Sequence, residues 1–117
     1  MIQKIEKWRV QELAQVLKRL SILMQEGKNS DWGSVFSHYA HEAQNIVGHR
    51  TFDMDALRRL SNNIINCFAG GSSLRNLVLL QKEPINMDAL NQEFRETIRL
   101  LFTILGSFEE KWKEPIH

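Results

Sequence analysis

Residues 67–80 read Cys67-Phe68-Ala69-Gly70-Gly71-Ser72-Ser73-Leu74-Arg75-Asn76-Leu77-Val78-Leu79-Leu80, and the fold is read outward from them. A helical pattern stops at Ala69 and a new one begins after Ser73. Gly70 or Gly71 can adopt the left-handed conformation that closes a helix, and Ser72 or Ser73 can cap the next one by accepting from a free backbone N–H. From Leu77 to Leu80 the pattern is apolar on every side, and such a helix is normally surrounded by others. The stretch therefore predicts a tight turn held by Gly70, Gly71 and Ser73, leading into a short central helix.

On the N-terminal side, three longer helical patterns precede it. From about 2 to 26, Ile2, Ile5, Leu13, Val16, Leu20, Leu23 and Met24 share one stripe. Arg9 falls inside that stripe, where it would snorkel past the core edge, pair with a carboxylate or face a partner. Trp8 lies off the stripe, with partial exposure expected. A second helix, about 31–47, carries Trp32, Val35, Phe36, Tyr39, Ala43, Ile46 and Val47 on one side. Its other side carries Ser34, His38, His41 and Asn45. The third, about 54–68, has a clear start signal: Asp53 caps it and Phe52 can staple onto Leu57. Its inner stripe is Leu57, Leu60, Ile64, Ile65 and Phe68, with Cys67 at the edge.

On the C-terminal side, Pro84 ends the fourth helix, about 74–81. A fifth runs over about 87–112, with Asn86 as cap and Leu90, Phe94, Ile98, Leu101, Leu105, Phe108 and Trp112 as its stripe. Between Ile98 and Leu105 the apolar arc widens to include Leu100, Phe102 and Ile104, which predicts deep burial or an oligomer contact. Met-Asp-Ala-Leu occurs at 54–57 and at 87–90, a reused helix start and not a duplication. No segment alternates over strand length. The expected fold is an all-α, compact, single-domain bundle of about five helices spanning 1–117, with the short fourth helix central.

Composition narrows the function. The chain has 117 residues, 43% hydrophobic and 25% charged, as in an ordinary soluble globular protein. Fifteen basic residues against fourteen acidic ones give a net charge of +1, which argues against a general nucleic-acid binder. Arg58, Arg59, Arg95 and Arg99 are too few, and too mixed with acids, for a DNA-reading helix. The single cysteine excludes an intramolecular disulfide and fits a reducing compartment. The first seven residues lack the apolar core of a signal peptide, and no apolar run is long enough to span a membrane, so a cytoplasmic protein is expected.

Chemistry-bearing motifs are sparse. His38 and His41, three apart with Glu42 beside them, could share a metal ion, but they sit on the polar side and no full ligand set accompanies them. Cys67 lies in no recognisable catalytic motif and suits a small apolar role. Gly70-Gly71-Ser72-Ser73 follows a helix and lacks a P-loop lysine, so it reads as a turn rather than a phosphate cradle. No catalytic residue, metal or cofactor is expected. The outer side of the third helix is more informative. Asn62, Asn63 and Asn66 are weak helix formers on a face where Glu, Lys or Ala would hold the helix better. Their amides both donate and accept, and Asp55, Arg58 and Arg59 add charge beside them. The candidate partner-binding residues are Asp55, Arg58, Arg59, Asn62, Asn63 and Asn66, with His38 and His41.

The central stretch also resembles a family of small bacterial helical proteins whose shared core reads Phe-Gly-Gly-Met-Gly-Ser-x-Asn-Asp-Leu. Phe68, Gly70, Ser73 and Leu77 match, with Leu74 and Val78-Leu79 in keeping. The chain departs at Ala69, Gly71, Ser72, Arg75 and Asn76. The resemblance implies an immunity protein that binds a bacterial toxin domain stoichiometrically and covers it. The alternative is a structural or adaptor module acting as a homodimer through the fifth helical pattern.

Overall fold

A computed structural model describes residues 5–26, 30–48, 53–68 and 87–112. These residues form a bundle of four helices: α1 (Lys7–Glu26), α2 (Ser30–Gly48), α3 (Met54–Cys67) and α4 (Met87–Trp112). Among them there is no strand. The bundle is thus all-helical as expected, with four described helices where about five were read. The turn at Gly70, Gly71 and Ser73 and the helix expected over 74–81 lie outside the described residues, as do Phe52 and Asn86.

The first helix starts later than its pattern suggests. Residues 5 and 6 are not helical, and α1 begins at Lys7. The reason is local. The Glu6 carbonyl accepts from the Arg9 N–H at 3.0 Å, and the Trp8 indole N–H donates to the Glu6 carboxylate. The Glu6 carbonyl thereby takes up the Arg9 N–H, a backbone donor that a helix beginning earlier would have bonded to Ile5, and the Trp8 bond holds the Glu6 side chain at this start. Ile5 before it and Val10 within it stand at hydrophobic-staple spacing, and both are buried. Arg9 resolves to carboxylate pairing: it meets Glu12 at 3.3 Å and lies over the half-exposed Trp8 ring at 4.8 Å.

α1 is the most deeply embedded of the described helices, with nine of its twenty residues buried. It packs along α2 and also against α4, while α3 packs on α2. The α1–α2 crossing is close because position 33 is glycine. A Cβ there would stand 2.6 Å from Gln25 Cγ and 3.2 Å from the Ser21 backbone oxygen. The buried Ser21 hydroxyl donates to the Gly33 carbonyl at 2.7 Å across the same crossing. An ion pair from Arg19 to Glu93 ties α1 to α4.

The core joins Leu13, Leu17, Leu20, Leu23 and Met24 of α1 with Phe36, Leu57, Leu60, Ile64, Phe94, Leu101 and Phe108. An aromatic chain runs through it. Phe36 meets Trp32, Tyr39 and Phe68 at centroid distances of 6.4, 5.6 and 6.2 Å, and Phe68 meets Phe102 at 4.9 Å. The last three contacts are edge-to-face, the arrangement ring quadrupoles favour. They link α2, the end of α3 and α4. On α4 the wide apolar arc is only partly covered: Leu101, Ile104 and Leu105 are buried, Phe102 is half-buried, and Leu100 is 49% exposed.

One core position is polar without compensation. Ser61 on α3 is buried, and its hydroxyl has no hydrogen-bond partner among the described residues. A buried unmade hydroxyl costs about 1–3 kcal/mol, and alanine is also the better helix former. Ser61→Ala is expected to raise the thermal midpoint by about 4 °C or more, measured by circular dichroism. A lower midpoint would mean that the hydroxyl is bonded.

Candidate binding groove between α2 and α3

α2 and α3 run antiparallel. Phe36 near the start of α2 meets Phe68 at the end of α3, and the far end of α2 reaches the start of α3. The start of α3 is fixed by Asp53, whose Oδ1 accepts from the Ala56 N–H at 3.0 Å. This N-cap fixes where the helix begins. Leu57, Leu60 and Ile64 turn inward, while Arg59 and Asn63, four apart, turn toward the rim of α2.

Between the two helices lies a groove of about 430 Å³. Its lining is Glu42, Asn45 and Ile46 from α2, with Asp53, Ala56, Arg59 and Asn63 from α3. The size falls in the usual range for binding clefts, though the lining is more polar than a small-molecule pocket normally has. One turn beyond it, the Tyr39 hydroxyl and the Cys67 thiol stand 3.7 Å apart, and the thiol donates to the Asn63 carbonyl at 3.3 Å. Cys67 therefore braces the helix turn that carries Asn63.

The charges differ in how they are engaged. Asp53 is occupied by its capping bond. Glu42 meets His38 Nε2 at 2.7 Å, one turn earlier on α2. Arg59 has no ion pair with any described residue, and the amides of Asn45 and Asn63 have no hydrogen bond there either. The groove thus offers one cation and two amides that no described residue engages.

Burial pushes the Tyr39 hydroxyl up from its ordinary value of about 10 to about 12, with the bond to Cys67 and the nearby thiol and Glu42 charges adding to the effect. Tyr39 is the only tyrosine, so its ionisation can be followed without overlap from a second one. The folded state favours the neutral phenol, so this contribution to stability is complete below about pH 10 and is lost as pH rises through about 12. The tyrosinate absorbance of the native protein is expected to rise near pH 12, and that of the denatured chain near pH 10. Coincident titrations would contradict the packing described for Tyr39.

The residues expected to bind a partner fall into three groups. Arg59 and Asn63 line the groove. His38 adjoins it through Glu42. Asp55, Arg58, Asn62, Asn66 and His41 are exposed but do not line it. The sequence pattern did not place Asn45 and Glu42 in one groove with Arg59 and Asn63, because only the antiparallel packing of α2 on α3 brings them together. Their place on the polar side of α2 was the one available signal. Among the described residues, no group of three or more His, Cys, Asp or Glu side chains could hold a metal ion, and no helix is long and apolar enough to cross a membrane. A second depression of about 380 Å³, between α1 and α2, is lined by Gln11, Ala14, Gln15, Gln44 and Val47 and carries no charge. Compared with known proteins, the chain matches no family model, no curated protein and no solved structure.

Proposed function

We propose that this chain is an immunity protein that binds a bacterial toxin domain stoichiometrically and neutralises it by covering it, with the α2–α3 groove as the docking surface. The observation that carries the proposal is the set of uncommitted Asn45, Arg59 and Asn63 side chains around one cleft. Groups of this kind are left unpaired at the cost of nothing while water solvates them, and they become specific when a partner matches them. The likeness of residues 68–77 to the shared core of small bacterial helical proteins, which implies an immunity role, supports the same reading. It is a binding role, with no catalytic step and no cofactor assigned to the chain.

Tagged protein drawn through a lysate of the producing bacterium tests this, with the bound material identified by mass spectrometry. The expected result is one stoichiometric partner carrying a C-terminal toxin domain. A second reading, a homodimeric structural module, is favoured by one observation, the 49% exposure of Leu100 on α4. Light scattering of the purified chain separates the two: a monomer supports the immunity role, and a tight dimer lost on Leu100→Lys supports the structural one.

A further inference from the structure

We propose that the groove takes an extended loop of the partner polypeptide that presents a single carboxylate to Arg59, with neutral or basic residues on either side. This deepens the binding role above and rests on it for what the partner is. Arg59 is the one groove charge that no described residue engages, whereas Asp53 caps α3 and Glu42 is held by His38. A guanidinium in a fork geometry matches a carboxylate with two parallel hydrogen bonds. Asn45 on the α2 wall and Asn63, one turn along α3 from Arg59, each offer a donor pair and an acceptor, the complement of a backbone peptide group of the loop.

The acidic lining sets the sequence preference of the loop. Glu42 and Asp53 share the groove with Arg59, so a second carboxylate on the loop would meet like charge, while a neighbouring lysine or arginine would not. Ile46 and Ala56 add an apolar contribution to the lining, against which the loop's short side chains can rest. The groove is therefore selective for one acid in a neutral or basic context, not for acidic runs.

The probe is N-acetyl-Gly-Asp-Gly-amide, titrated into the whole chain and read by nitrogen-15 NMR at the Arg59 Nε–H and the Asn45 and Asn63 side-chain amides. The expected result is a saturable shift of all three signals, at least tenfold weaker with the Asn peptide and absent in Arg59→Gln. Arg59→Lys, which keeps the charge and loses the fork, is expected to retain a reduced response and shows that loss in Arg59→Gln is not unfolding. Equal response to the Asn peptide, no saturable shift, or persistence of the shift in Arg59→Gln would each overturn the assignment. So would an equal or larger shift with inorganic phosphate alone, since the site would then be an oxyanion site and not a peptide site. Failure here alongside capture of a toxin domain leaves the immunity role standing, and success here without such capture removes that role but not the peptide groove.

Discussion

Arg59→Glu combined with Asn63→Lys is expected to weaken binding of the captured toxin domain by about 100-fold or more, while the thermal midpoint stays unchanged. Both side chains are exposed on α3, and neither is held by another described residue. The bond that Cys67 makes to position 63 uses the backbone carbonyl, so it survives the substitution. The fold therefore has little to lose. The interface has much to lose, because Glu at 59 would meet the partner's carboxylate with like charge and Lys at 63 would crowd the amide contact. Asn62→Lys is the control. Asn62 is exposed on the same helix but outside the groove lining, and its substitution is expected to change affinity by less than about threefold. Isothermal calorimetry of the three proteins against the same partner reads the difference. Equal losses at 62 and at 59 with 63 would show that the whole outer side of α3 is engaged and that the groove has no special part.

The largest effect on stability is expected at Phe36. The ring is fully buried and sits between Trp32, Tyr39 and Phe68, and through Phe68 it is linked to Phe102 on α4. Phe36→Ala removes the transfer free energy of a whole aromatic side chain and leaves a cavity where α2, α3 and α4 meet. Substitutions of this kind cost about 3–5 kcal/mol. A domain of this size is held by about 5–15 kcal/mol in total, so the variant is expected to be close to unfolding at 37 °C. Urea unfolding followed by circular dichroism would show a midpoint shifted far to lower concentration. Phe36→Leu, which fills much of the volume, is expected to lose about half as much or less. A small effect of Phe36→Ala would mean that the bundle closes over the gap and that the aromatic chain does not hold α3 in place.

The helices were largely legible because their periodicity is strong. The inner stripe of α3, from Leu57 to Phe68, is buried except for Ile65, Cys67 at its edge is half-buried, and Asp53 caps the helix as its position before Met54 suggests. α4 runs over the range its stripe marks out. Two features were not legible, for separate reasons. Gly33 looks like a neutral residue in the pattern of α2, since only the crossing with Ser21 and Gln25 makes its missing Cβ matter. Ser61 falls within the inner stripe of α3 by its spacing from Leu57 and Ile64, but only the packing shows that its hydroxyl has no partner among the described residues.

The site was half legible. The asparagine positions on α3 stand out from sequence because they are poor choices for simple helix stability, and the arginines because they add charge beside them. Which of them matter depends on rotation about the helix axis. Asp55, Asn62 and Asn66 share the outer side with Arg59 and Asn63 in the pattern, and only the docking of α2 separates the two that face the cleft. The contribution of Asn45 and the His38–Glu42 pair comes from a different helix, which no spacing within α3 can show.

Site-specific photo-crosslinking decides whether the α2–α3 groove is the docking surface. A benzophenone side chain is placed at position 45 in the groove and, in a separate protein, at position 100 on α4, and each is irradiated in the producing bacterium. Position 45 is expected to attach to a single toxin-bearing partner, and position 100 to nothing in comparable yield. Attachment from position 100 to a second copy of the chain, with none from position 45, would contradict this docking and establish the structural dimer in its place.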